Sequence, residues 1–187
     1  MARLYGEQQP VHVAPSMPPI FSGNGDAWGI SAFDAGDHWH FVTYGLSELF
    51  EKTSGDPAVS GLGYELTLRL AKTTNKLPNW GFNELNFLVR LINSGQADLW
   101  VGDRLDRQDP LSELNDFQPP TALQVWFVVP DTQLGRIDTP NGTLEFRQLV
   151  GMTPAERDAA KASSNDEVLA RVAAGNPLLV TDPTRVS

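Results

Sequence analysis

The clearest regularity along the chain is a period of two. Tyr64, Leu66, Leu68 and Leu70 alternate with Glu65, Thr67, Arg69 and Ala71. Successive strand residues face opposite ways, so this run predicts a strand with one buried apolar face and one polar face. Two shorter aromatic and β-branched runs, Trp28 to Phe33 and Trp39 to Tyr44, flank Asp34-Ala35-Gly36-Asp37, and their spacing predicts a hairpin. Gln124 to Val129 and Thr143 to Val150 read as a second strand pair, with Thr139-Pro140-Asn141-Gly142 as a turn before the latter. Leu178 to Thr181 reads as a last short strand.

Between Trp80 and Ser94 the period changes. Leu85, Leu88, Val89 and Ile92 recur at helical spacing, Phe87 and Leu91 form a second apolar pair on another side, and Gly95 marks the stop. A helix apolar on two sides either lies between layers or offers its second side to a partner. Thr153-Pro154-Ala155-Glu156 and Ser164-Asn165-Asp166-Glu167 carry capping-box patterns, which predict two short helices, the second ending near Gly175. The Pro- and Gly-rich stretch from Pro10 to Gly25 predicts an irregular lead-in, and Gly102 to Pro120 a turn-rich connection.

At 187 residues the chain has the length of one compact domain, and with no cysteine it forms neither disulfides nor thiolate metal sites. It has no stretch approaching the roughly 20 apolar residues that cross a bilayer, and its first seven residues do not form a signal-peptide core. These features point to a cytoplasmic location and away from membranes. A net charge of −9, from 23 acidic residues against 14 Lys plus Arg, disfavours nucleic acid and suits a basic protein partner, although it serves solubility equally well.

Candidate chemistry is sparse. His38 and His40, with Asp34 and Asp37 beside them, are the best metal-ligand candidates, because alternate strand residues share a face. They define the alternative reading, a metal-dependent hydrolase centred on His38, His40 and Asp37; no third ligand with recognisable spacing completes it. Ser60-Gly61-Leu62-Gly63 has the composition of an anion-binding loop but leads into a strand, so a turn is the expectation. Glu65, Arg69, Glu145 and Arg147 fall on strand faces expected to be polar, where cross-strand ion pairs are ordinary. The motifs of serine hydrolases, zinc proteases, P-loop proteins and dinucleotide-binding enzymes are absent.

Three sequence blocks carry a resemblance. The run His38-Trp39-His40-Phe41-Val42-Thr43-Tyr44-Gly45-Leu46-Ser47-Glu48-Leu49 is followed by Ser60 to Leu70 and then by Gly142-Thr143-Leu144-Glu145-Phe146-Arg147-Gln148-Leu149-Val150-Gly151. With Leu178-Leu179-Val180-Thr181-Asp182 behind them, they resemble the suppressor of fused family in matching order. The resemblance implies an α+β fold, a mixed, largely antiparallel β-sheet flanked by helices like the N-terminal lobe of that family. It assigns residues 1–187 to a single suppressor of fused-like domain, with 1–26 an irregular lead-in and 183–187 a tail. It also implies a non-catalytic, protein-binding role without metal or cofactor.

In the animal family member, a zinc-finger transcription factor is held between two lobes by an Asp that follows Gly and by an aromatic residue of the preceding helix. Those positions are Asp103 and Leu91 here, so Asp103 agrees and Leu91 departs. Losing the aromatic group points to a different partner. Single-lobe bacterial relatives are associated with immunity proteins that neutralise toxins, and a basic toxin domain would complement an acidic chain. The expected partner-binding residues are Asp103, Leu91, Phe87 and Trp100, the last as an aromatic anchor. The oligomeric state stays open.

Overall fold

A computed structural model describes residues 1–16, 25–111 and 120–186. Part of the Pro-rich lead-in, including Pro18, Pro19 and Gly23, and most of the Leu111 to Pro120 stretch lie outside the described residues.

The chain order is α1 (Ala2–Tyr5), β1 (Val11–Val13), β2 (Gly29–Asp34), β3 (His38–Tyr44), β4 (Val59–Ala71), α2 (Asn79–Asn93), β5 (Arg104–Asp106), β6 (Val125–Pro130), β7 (Arg136–Thr139), β8 (Gly142–Met152), α3 (Pro154–Ala162) and α4 (Asn165–Ala173). The strands form one sheet in the order β1-β2-β3-β4-β8-β6-β5, with β7 also paired to β8. Every pairing of strands is antiparallel except β4 with β8, which run parallel in the middle. The fold is therefore α+β with a mixed, largely antiparallel sheet, and the β2–β3 hairpin and the β6–β8 pair form as their sequence patterns predict.

One sheet face carries Phe41, Leu66, Leu68, Leu70, Trp126 and Leu149 and is covered by α2. Trp80, Phe82, Leu85, Leu88, Val89 and Ile92 supply the inward stripe of that helix. Each such side chain contributes about 1.5–3 kcal/mol of burial free energy. The second apolar pair of α2, Phe87 and Leu91, also packs against this core and stays only half-buried. The opposite face buries Val125, Phe127, Val150 and Met152 beneath α3 and α4. Thr153 caps α3 through a complete capping box, and Ser164 caps α4 through the Glu167 amide.

Four expectations need correction. The lead-in is not irregular throughout: α1 forms, and β1 adds to the sheet edge by pairing Val11–Val13 with Ile30–Ala32. The polar face of β4 is not exposed, because Glu65, Thr67 and Arg69 are as buried as the leucines between them. A strand at the centre of a sheet covered on both faces has no solvent side. The Ser60–Gly63 segment is an irregular start of β4 rather than a turn, with a register shift between Val59 and Tyr64. Leu178–Thr181 does not make a strand, since Leu179 adopts φ 51° and the segment keeps one bridge, Leu70 to Thr181.

Candidate functional site

The turn after α2 holds the most exposed aromatic anchor of the predicted set. Trp100 is 58% exposed and is followed by Val101 at 45%. The turn is closed by its own backbone: the Asp103 amide donates to the Trp100 carbonyl at 2.9 Å, and the Trp100 amide donates to Asp103 Oδ2 at 2.8 Å. Gly102 at φ 97° supplies the left-handed residue that this closure requires. The Gly102 amide then reaches the Val128 carbonyl, and the Val128 amide the Asp103 carbonyl, which fixes the turn to β6.

The indole is held as firmly as the backbone. Its Nε1 donates to Asp98 Oδ2 at 2.7 Å. On β8, the Arg147 guanidinium lies over both the Trp100 ring (4.7 Å) and the Tyr64 ring (3.8 Å). Arg147 also donates to Glu145 Oε1 at 2.6 Å and to the Leu99 carbonyl at 2.5 Å. Cation–π contacts from a desolvated arginine are worth up to about 2 kcal/mol, so this ring is fixed in place while one side remains in solvent. Beside it opens a hollow of about 420 Å³ lined by Leu62, Tyr64, Ile92, Ala97 and Trp100. Leu62 is itself 51% exposed, and burial pushes the Tyr64 hydroxyl up to about 12.

The structure brings together only part of the predicted set. Trp100 and Asp103 share one turn. The Leu91 carbonyl accepts the Gln96 and Ala97 amides, which tethers α2 to the rim of the hollow. Phe87 is elsewhere on α2, where the Arg107 guanidinium covers its ring at 3.9 Å and donates to Glu84 at 3.0 Å. Sequence reasoning missed Leu62, Tyr64, Asp98 and Arg147. Their meeting depends on the parallel register that sets Tyr64 against Glu145, and no local pattern encodes that pairing.

The other candidates have internal partners. His38 Nδ1 bonds Asp37 Oδ1 at 2.7 Å, whereas His40 Nδ1 bonds the Tyr5 hydroxyl at 2.8 Å. His40 Nε2 faces Asp131 at 3.5 Å. Asp131 accepts only, so the proton belongs on Nε2, and Nδ1 accepts from Tyr5. Burial pushes the His40 imidazole down, which keeps it neutral. Among the described residues no group of three or more His, Asp or Glu is gathered to hold a metal ion. The anion met by the Ser60–Gly63 segment is the chain's own Glu48, which takes the Gly61 amide at 3.2 Å while its backbone amide donates to Ser60 Oγ at 3.0 Å.

The expected cross-strand ion pairs also form differently. Glu65 does not meet Arg69; its carboxylate is enclosed by the Thr43 hydroxyl, the Ser47 hydroxyl and amide, and the Gly45 amide. Burial pushes the Glu65 carboxyl up against those donors. Arg147 and Glu145 pair along one strand rather than across two. Arg69 pairs with Asp131 instead.

Among the described residues no helix is long and apolar enough to cross a membrane. A family model described as Suppressor of fused protein (SUFU) matches residues 26–186. The suppressor of fused homologs of Homo sapiens and Mus musculus are each 28% identical over 160 residues, which is 80% of this chain and 32% of the relative, so the chain spans about a third of their length. Among solved structures, a chain of the Sufu–Fu complex aligns with TM-score 0.85 and 28% identity over 100% of this chain and 87% of that one. Drosophila Suppressor of Fused aligns with TM-score 0.83 and 27% identity over 100% of this chain and 48% of that one. A SUFU homolog from Neisseria gonorrhoeae FA 1090 shares the fold, with TM-score 0.65 at 14% identity, covering 100% and 91%.

Proposed function

Because the chain belongs to the suppressor of fused family, we propose that it is a non-catalytic domain that works by binding another protein through the Trp100–Asp103 turn. The observation that carries this reading is an exposed indole held rigidly by Arg147 and Asp98. An anchor already fixed in its bound geometry loses little side-chain entropy on association, and Trp is among the commonest interface hot spots. The complex in which a related Sufu chain is bound to Fu supports a protein as the ligand class.

The partner we propose is a basic toxin domain, which this chain neutralises as a bacterial, cytoplasmic immunity protein. The net charge of −9 supports that choice, and Asp98 and Asp103 flank the anchor with acceptors. Leu91 and the Ile92 side of the hollow would take an apolar side chain of the partner; Phe87, beneath Arg107, contributes to the edge of the surface.

The test is recovery of the partner from the native cell by the wild-type chain, Trp100→Ala and Asp103→Arg. Each variant should bind the purified partner at least about 30-fold more weakly, as hot-spot losses of 2 kcal/mol or more imply. Unchanged recovery by both variants would count against this surface.

A further inference from the structure

At the other end of α2, about 20 Å from the hollow beside Trp100 on helix geometry, lies a larger cleft with a different character. Its volume is about 520 Å³, within the range of small-molecule sites. Trp39, Leu70, Leu77, Trp80 and Pro183 form apolar walls. The charged residues on its lining are Lys72 and Lys76, although the whole chain is strongly acidic.

Two further observations favour an anion. Pro78 and Asn79 put the start of the 15-residue α2 on the cleft wall; Pro78 gives the helix no side-chain cap, and its first turn has no acidic residue. The first amides of that helix therefore keep their donors and the positive end of the dipole available. Independently, Trp39 is nine-tenths buried in the wall, and its indole Nε1 has no hydrogen-bond partner. An unpartnered buried donor is a standing cost to the fold, and an acceptor brought to it by a ligand removes that cost. Lys72 stands 4.4 Å over the same indole and pairs with Asp34, which is outside the cleft; the Lys76 ammonium makes no ion pair among the described residues.

We infer that this cleft binds a compact apolar group carrying one carboxylate, with the apolar part against Leu70, Leu77 and Trp80 and the carboxylate toward the Trp39 indole N–H, Lys76 and the α2 N-terminus. The same chemistry is offered by a free aryl or alkyl acid and by the C-terminal residue of a peptide. The cleft is separate from the turn proposed above for protein binding, so each stands or falls alone.

The experiment titrates the ¹⁵N-labelled full chain with 3-phenylpropionate, its uncharged amide, and a short peptide ending in Phe with a free carboxylate. The Trp39 indole resonance, assigned with Trp39→Phe, and the amides of Asn79, Trp80 and Gly81 should shift together with one millimolar or tighter affinity. The amide analogue should leave them in place, and whichever carboxylate binds more tightly identifies the source. Lys76→Glu should weaken binding about tenfold with an unchanged unfolding midpoint, since Lys76 is exposed. Thr184→Trp, at the mouth, should block it as an independent check. Equal shifts with acid and amide, shifts confined to residues around Trp100, or undiminished binding by Lys76→Glu would overturn the assignment.

Discussion

At the scale of single residues, Asp131 organises more of the interior than any side chain that the sequence singled out. It takes Arg69 in a two-point contact at 2.7 and 3.1 Å, the Thr67 hydroxyl at 2.7 Å, and the amides of Gln133 and Leu134. Burial alone would raise its carboxyl, but the His40 Nε2 facing it at 3.5 Å and the hydrogen bonds and charge of Arg69 carry it well below the usual carboxylate range. A depressed folded-state pKa means that the unfolded chain binds the proton first. This contribution to stability is thus full above pH about 4 and is lost as pH falls further. Asp131→Asn leaves Arg69 buried without its counter-charge and should cost about 3–5 kcal/mol in urea unfolding at neutral pH. The acid limb of its stability profile should also be shallower than that of the wild type. None of this was legible in the sequence. Arg69 alternates with core leucines and reads as a solvent-facing residue, because alternation reports which positions share a face and not whether the second face is covered. The same limit applies at the candidate site: Trp100 and Asp103 can be named from the chain, whereas Arg147, which fixes the indole, reads as a surface ion-pair residue.

At the scale of elements, legibility follows the range of the interactions. The helix α2 and the caps of α3 and α4 are set by residues three or four apart, and the sequence predicts all three. β5 and β7 have three and four residues, too few for an alternating pattern, and exist because β6 and β8 offer edges to pair with. The fit of α2 to the sheet gives a prediction of definite sign. A Cβ on Gly81 would come within 2.6 Å of the Phe41 ring, which is fully buried and stacked edge-on against Phe82 at 5.1 Å. Gly81→Ala gains up to about 1 kcal/mol of helix propensity but overfills a site whose neighbour has nowhere to go, at a cost of about 1–3 kcal/mol. The net result should be a less stable protein, read as a lower thermal midpoint. Thr153→Ala tests the other kind of element, a locally encoded one: losing the capping box of α3 should cost about 1 kcal/mol in the same measurement.

At the scale of the whole molecule, the segment that precedes the family match has a structural task. The family model begins at residue 26, yet α1 and β1 lie before it and close the sheet from outside. Tyr5 stacks on Phe33 with ring centroids 4.8 Å apart and hydrogen-bonds His40, while Arg3 reaches the Gln133 carbonyl at 2.7 Å. The segment thus covers the Arg69–Asp131–His40 cluster, and the burial that pushes the Tyr5 hydroxyl up to about 12 is the same burial that pushes the imidazole of His40 down. Removing residues 1–9 should lower stability by about 2–4 kcal/mol, from the lost burial of Tyr5 and an interior nitrogen left without its donor. The pH dependence distinguishes loss of this cover from general loosening. A His whose folded pKa is depressed makes the protein less stable as pH falls through the unfolded value of about 6.5, because the unfolded chain takes up the proton more readily. With water admitted to His40, its pKa should return toward that value and the slope of stability between pH 5 and 7 should flatten. Tyr5→Phe keeps the stacked ring and removes only the hydroxyl. If the cluster is shielded mainly by bulk, this variant should retain most of the wild-type slope, with His40 titration followed by NMR; a slope as flat as that of the deletion would assign the effect to the hydrogen bond alone.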